Sequence, residues 1–220
     1  MGDKGKKEKV DSKDSLFERY KMIVAARNFH YENFNKWMTY FYVATGAIFV
    51  GYITLITNSA TKDLHNIQTA VLVLGYISGL VLYWSSKGYY FWNINFIMLV
   101  NHYEKDLLKW DSDTSIYSVL ANKKVQNNYW SPVSGANIST SKIAILFAFL
   151  ISIGWCTTLL FSVEETSSTI TVDPDYLSFT ISLFISVAIT LALTRWLAKP
   201  LLKSKVNHME DLALKQKQRK

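Results

Sequence analysis

Four stretches of about twenty residues run without an Asp, Glu or Lys: Trp37 to Thr57, Ile67 to Ser85, Ile143 to Phe161 and Leu177 to Leu197. A helix of that length crosses a hydrocarbon core ~30 Å thick. The one charge among them, Arg195, lies a single turn from the polar end of the fourth stretch and can snorkel to the headgroups along its own aliphatic stem. The chain is therefore expected to be an all-α polytopic membrane protein with four transmembrane helices. A mean hydropathy near zero conceals this, because 24 Lys and Arg crowd the segments between and beyond the spans.

Basic residues in short loops stay on the cytoplasmic side during insertion, so their distribution sets the orientation. Nine precede the first span, six lie between spans two and three, and eight run from Arg195 to the end, which makes 23 of 24. The exception, Lys62, sits in the short loop TNSATKDLHN, and the other outer loop, SVEETSSTITVDPDY, holds four acids and no base. Both ends are thus expected inside. The net charge of +7 reads as topology rather than as a nucleic-acid surface. The N-terminal lysines and the tail KQKQRK are expected to meet anionic headgroups, at about 1 kcal/mol per basic residue held near the surface.

On this reading the chain divides into a basic cytoplasmic segment and helix (1–36), two spans (37–57 and 67–85) and a cytoplasmic helical extension with its loop (86–142). Two further spans (143–161 and 177–197) and a basic amphipathic tail (198–220) complete it. Ser15, Leu16, Phe17 and Glu18 form a capping box, so a helix is expected from about Ser15 into span one, ending in an aromatic belt from Phe29 to Phe41. After span two, GYYFWNINFIMLVNHYEKDLLKW keeps a helical pattern with Gly88 as its weak point, which predicts an extension packing on the N-terminal helix rather than a fifth span. Ser139 to Ser141 are placed to cap span three, and Leu202, Val206, Met209 and Ala213 predict a short amphipathic helix in the tail. The first thirty residues contain no secretory signal pattern, and Lys6 stands where a myristoylation motif wants Ser or Thr.

Catalytic chemistry needs a constellation, and the sequence offers none. The four histidines, His30, His65, His102 and His208, match no metal spacing, and Cys156 is the single cysteine, so no cofactor or metal is expected. Arg27 and His30 share a helical face near Glu32, but only two residues separate them, fewer than in the arginine and histidine pair of HEPN ribonucleases. A cytoplasmic interface cluster of Arg27, His30 and Glu32, contacting headgroups or a neighbouring subunit, is the expected use. No ionisable group lies at mid-bilayer, which disfavours a coupled transporter.

The spans offer small residues and hydroxyls instead. Ala47 and Gly51 in span one and Gly75 and Gly79 in span two permit close helix approach, as do Ala144 and Ala148 in span three. In span four Ser178, Ser182, Ser186, Thr190 and Thr194 recur every fourth residue, a stripe that advances about 40° per step. It is expected to serve either as a packing ridge whose hydroxyls bond their own carbonyls, or as a hydroxyl-lined pore wall completed by other subunits.

Phe17-Glu18-Arg19-Tyr20-Lys21, Ala26-Arg27-Asn28-Phe29-His30, Asn35-Lys36-Trp37, Gly46-Ala47-Ile48-Phe49-Val50, Trp130-Ser131-Pro132 and Ser134 to Ser141 together carry a resemblance. Through them the chain resembles the RipA-like family of small bacterial membrane proteins, and it is similar to four-span membrane proteins encoded beside RNA-guided, RNA-cutting CRISPR effectors. The resemblance implies a bacterial inner membrane, a ring-like homo-oligomer and an anti-phage role in which membrane integrity is altered. The expected function is a non-enzymatic oligomeric pore or membrane-perturbing accessory. The alternative is a scaffold or regulator without a pore, binding a cytoplasmic protein partner. No nucleic-acid contact is expected.

Orientation is directly testable by labelling intact cells with a membrane-impermeant thiol reagent. Ser167→Cys should label from outside and Asn122→Cys should not. The reverse pattern would invert the topology, and equal protection of both would argue against insertion.

Overall fold

The structure, a computed structural model, describes residues 4–58, 65–111, 114–116, 129, 132, 135–136, 138–167 and 176–202. All regular structure among them is helical: α1 (Lys4–Asn58), α2 (His65–His102) continued by a π turn (Tyr103–Leu107), α3 (Thr140–Ser167), and α4 (Tyr176–Leu193) continued by a second π turn (Thr194–Ala198) into α5 (Lys199–Leu202). Four helical stretches are long and apolar enough to cross a membrane, one for each expected span. An even number of crossings places both ends on one side.

α1 begins eleven residues before Ser15, so the expected start there is wrong. Residues 4–14 contain no proline and are rich in Lys, a good helix former, so nothing local stops the helix. The capping box does not close either, since Glu18 Oε1 accepts from Lys21 Nζ at 2.8 Å. At 1.5 Å per residue the 55 residues of α1 span about 80 Å, far more than a bilayer, so a large part of the helix extends beyond the hydrocarbon core. Ser139 caps α3 as expected: the backbone N–H of Lys142 donates to its Oγ at 3.4 Å. The expected tail helix lies outside the described residues, apart from Leu202.

α1 and α2 form one long antiparallel pair. Facing residues keep a single register: Thr45 Oγ1 lies 3.4 Å from Ser78 Oγ, Met38 Sδ accepts from Ser86 Oγ at 3.6 Å, Phe34 stacks on Tyr89, and Tyr20 meets Glu104. The residue numbers of each facing pair sum to about 123, so the pairing continues unbroken from the apolar span of each helix into its polar extension. Gly88 does not interrupt α2, and the extension packs on the N-terminal helix as expected: Tyr20, Val100 and Leu108 form a core closed by Leu16, Ile23, Val24, Tyr103 and Trp110. The π turn ends this extension, with the N–H of Leu108 donating to Tyr103 O at 2.8 Å and that of Trp110 to Glu104 O at 2.8 Å. Lys109 then turns the chain away at φ 55°.

Inside the membrane α3 packs on α2 through its smallest residues. A Cβ at Gly75 would overlap the Trp155 indole, and one at Gly79 would sit 3.0 Å from Ser152 Cα. Above them Met38, Leu82, Tyr83 and Ala148 form a core shared by α1, α2 and α3. α4 joins this group on the α2 and α3 side.

Gly75 therefore has a steric role that Gly88 lacks, since a Cβ at Gly88 meets nothing within 4 Å. Gly75→Ala should cost about 1 to 3 kcal/mol by overpacking. Gly88→Ala should be neutral or gain up to about 1 kcal/mol of helix propensity. Unfolding of the two variants in detergent checks this, and equal stability would refute the close-approach role.

Candidate functional site

The span-four stripe faces inward. Ser182, Ser186 and Thr190 are buried and Ser178 and Thr194 half-buried, while Phe179, Leu183 and Phe184 beside them are exposed. Each of the lower hydroxyls is engaged with another helix. Thr157 Oγ1 on α3 donates to Ser186 Oγ at 3.1 Å, and Tyr76 OH on α2 lies 3.1 Å from Thr190 Oγ1. Trp84 Nε1 donates to Thr194 Oγ1 at 3.0 Å. A hydroxyl has one proton and two lone pairs. Ser186 gives its proton to Ser182 O at 2.7 Å and Thr194 gives its proton to Thr190 O at 2.7 Å, which leaves their lone pairs to receive Thr157 and Trp84. The stripe thus binds α4 to both α2 and α3.

Sequence reasoning singled out the stripe and missed Tyr76, Trp84 and Thr157. A signal was present, because a tyrosine, a tryptophan and a threonine in apolar spans each carry a group that must find a partner where water is absent.

The small residues divide. Gly75 and Gly79 are used within the chain, whereas Ala47 and Gly51 lie on an exposed face of α1, and a Cβ at Gly51 meets nothing within 4 Å. Near them a cavity of about 660 Å³ opens between α1 and α3, walled by Tyr42, Phe49, Tyr52, Phe147 and Trp155.

Arg27, His30 and Glu32 do not form one cluster. Arg27 and His30 are half-buried on the side facing α2, but Glu32 is exposed, because two residues turn a helix by about 200°. Arg27 Nη1 donates to Asn28 Oδ1 at 3.2 Å. His30 stacks on Tyr89 with ring centroids 5.2 Å apart and planes 22° from parallel, and Tyr89 stacks in turn on Phe34 at 3.6 Å. Burial pushes the His30 imidazole below its ordinary pKa. Burial, helped by Tyr31 and opposed by the Arg27 charge, pushes the Tyr89 phenol up. A second cavity, of about 450 Å³, opens beside this stack between α1 and α2.

One further group escaped the sequence reading. Glu104 is fully buried at the end of the α2 extension, where its Oε1 accepts from Tyr20 OH at 2.8 Å and from the Ile116 N–H at 3.3 Å. Nothing local in the sequence marks it, and only the fold brings Tyr20 to it across 84 positions.

A family model described as "Octameric membrane protein family (8xMP)" matches residues 17–164, about two thirds of the chain. No curated protein and no solved structure matches it.

The stripe gives a prediction that separates volume from hydrogen bonding. Ser186→Ala removes a hydroxyl contact, and such contacts in bilayers average only about 0.6 kcal/mol, so thermal stability in detergent should fall little. Ser186→Leu adds bulk at a position with no exposed surface and should disrupt the four-helix packing. Equal tolerance of both would refute the buried position.

Proposed function

The chain belongs to the octameric membrane protein family, and on that footing we propose that eight copies assemble in a bacterial inner membrane. There they act without enzymatic chemistry, as a pore or membrane-perturbing accessory. The resemblance to membrane proteins encoded beside RNA-cutting CRISPR effectors brings the anti-phage role into the proposal.

The observation that supports assembly most directly is the bare face of span one. Only 6% of the apolar window of α1 is buried within the chain, against 33% for α2 and α3. Along that face Tyr40, Ala44, Ala47, Gly51 and Thr54 are all exposed and alternate by four and three residues. That spacing is the 3.5-residue repeat by which helices pack along a continuous seam. The three small residues at its centre, Ala44, Ala47 and Gly51, allow the backbones to approach closely. Because the span-four hydroxyls are engaged by α2 and α3, a packing ridge is the better supported use of Ser178, Ser182, Ser186, Thr190 and Thr194. A pore would then draw its wall from another face, and the exposed side of α1 outside that seam is the candidate.

The folded cytoplasmic extension supports the second reading, a scaffold that binds a soluble partner. The extension built around the buried core of Tyr20, Val100 and Leu108 would offer its outer surface to such a partner.

Mass measurement of the detergent-solubilised oligomer, with dye release from proteoliposomes, tests both. Gly51→Leu should reduce the assembly and abolish release, while Gly51→Ala should keep both. Assembled wild-type octamers that hold their dye with and without phage-infected cell extract would remove the pore reading and leave the scaffold.

A further inference from the structure

The cavity between α1 and α2 at the cytoplasmic boundary has two unlike ends. Phe34, Trp37, Met38 and Phe41 wall one side, and His30, Asn33, Ser85 and Tyr89 supply polar groups. From His30 to Phe41 the helix rises about 16 Å, and span one begins at Trp37, so the cavity straddles the edge of the hydrocarbon core. Its polar end is at headgroup depth and its apolar end is among acyl chains. The volume, about 450 Å³, falls within the range of small-ligand sites, about 300 to 1,000 Å³.

Two residues of its lining each carry a buried polar atom without a partner. Tyr89 is 5% exposed, yet its buried hydroxyl makes no hydrogen bond, and neither does the buried Nε2 of His30. Buried polar atoms are almost always paired, so each such exception calls for an explanation. The stack of His30 on Tyr89, and of Tyr89 on Phe34, fixes both rings in place. Arg27 lies one turn further along α1, half-buried on the same face, and its charge opposes the rise in the Tyr89 pKa that burial causes. The polar end is therefore rich in donors and carries positive charge, which suits an anion with several acceptor oxygens.

The geometry points to a binding site for one anionic phospholipid of the cytoplasmic leaflet, with its phosphodiester held by His30 Nε2, Tyr89 OH and the Arg27 charge, and an acyl chain along Trp37 and Phe41. A soluble phosphate would leave the apolar half unfilled. A fatty chain alone would leave the donors unpaired. A lipid completes both, and its binding is independent of whether the assembly conducts.

Native mass spectrometry of the full-length oligomer in mild detergent, titrated with phosphatidylglycerol, tests the site. The wild type should retain one phosphatidylglycerol per protomer and prefer it to phosphatidylcholine by at least about fivefold. Tyr89→Phe keeps the ring and its stack but removes the hydroxyl, and should lower retention at least about fivefold with the oligomer mass unchanged. Ser85→Leu fills the cavity and should do the same by bulk. In liposomes, acyl-brominated phosphatidylglycerol should quench wild-type fluorescence more than that of Trp37→Phe, and Tyr89→Phe should remove the difference. Wild-type retention in both Tyr89→Phe and Ser85→Leu would overturn the site, and if Ser85→Leu fails to fold, Tyr89→Phe decides alone. Displacement of the lipid by glycerol 1-phosphate would mark a soluble-phosphate site instead. Loss of oligomer mass in Tyr89→Phe with lipid retention intact would place a neighbouring protomer in the cavity.

Discussion

Water does not reach the hydrocarbon core, and every polar group carried into it must be satisfied by the protein itself. The arrangement of the four spans follows from that requirement more than from apolar attraction, since lipid tails are as apolar as leucine and give helices little reason to prefer one another. Thr157, Tyr76 and Trp84 each carry a group that needs a partner, and the span-four stripe supplies one at each level. Individually these bonds are weak. Together they select a rotation and a depth for α4 that its apolar surface would not, because exposed Phe179, Phe184 and Ile185 would be as content against lipid as against another helix. The close approach of α2 to α3 at Gly75 and Gly79 works with the same logic, using shape where hydrophobicity cannot discriminate.

Outside the membrane the same helix pair is held by a different force. Beyond Tyr89 the α1 and α2 surfaces face water, and the hydrophobic effect gathers Tyr20, Val100, Leu108 and Trp110 into a small core. The register does not change at the boundary. An antiparallel pair that keeps one register through two solvents behaves as one rod, so a displacement at the Tyr20 and Glu104 contact has no joint to absorb it before Met38 and Ser86. Glu104 makes that contact specific: a fully buried carboxyl accepts a hydrogen bond from the Tyr20 hydroxyl on one oxygen, and a different α1 register would leave it with the Ile116 N–H alone.

What could be read in the sequence follows the range of each signal. The spans were legible because twenty apolar residues have few alternative uses, and the α2 extension because its pattern never broke at Gly88. The capping box at Ser15 misled because a local signal acts only where the chain would otherwise hesitate, and the lysines before it favour helix. Grouping Glu32 with His30 failed on simple helix geometry. The stripe was visible as a period, but its partners lie 29 to 114 positions away, and no spacing within one helix encodes them. The cavity beside Tyr89 was invisible for the same reason, since its unpaired hydroxyl is a property of two helices and not of either one.

The small residues carry this point furthest. Ala47 with Gly51 and Gly75 with Gly79 are the same kind of motif, and nothing local distinguishes them. The fold uses the second pair, pressing it on Trp155 and Ser152, and leaves the first facing outward. A helix gains nothing from backbone made bare to lipid, and glycine in a helix interior costs up to about 1 kcal/mol relative to alanine. Gly46, Gly51 and Gly154 each bear that cost with open space around them, and Gly46 and Gly154 line the cavity between α1 and α3. These are positions whose glycine the packing of a single chain leaves unexplained. The interior of the four-helix unit and its outer face are thus written in the same residue types and separated only by which of them the chain itself consumes.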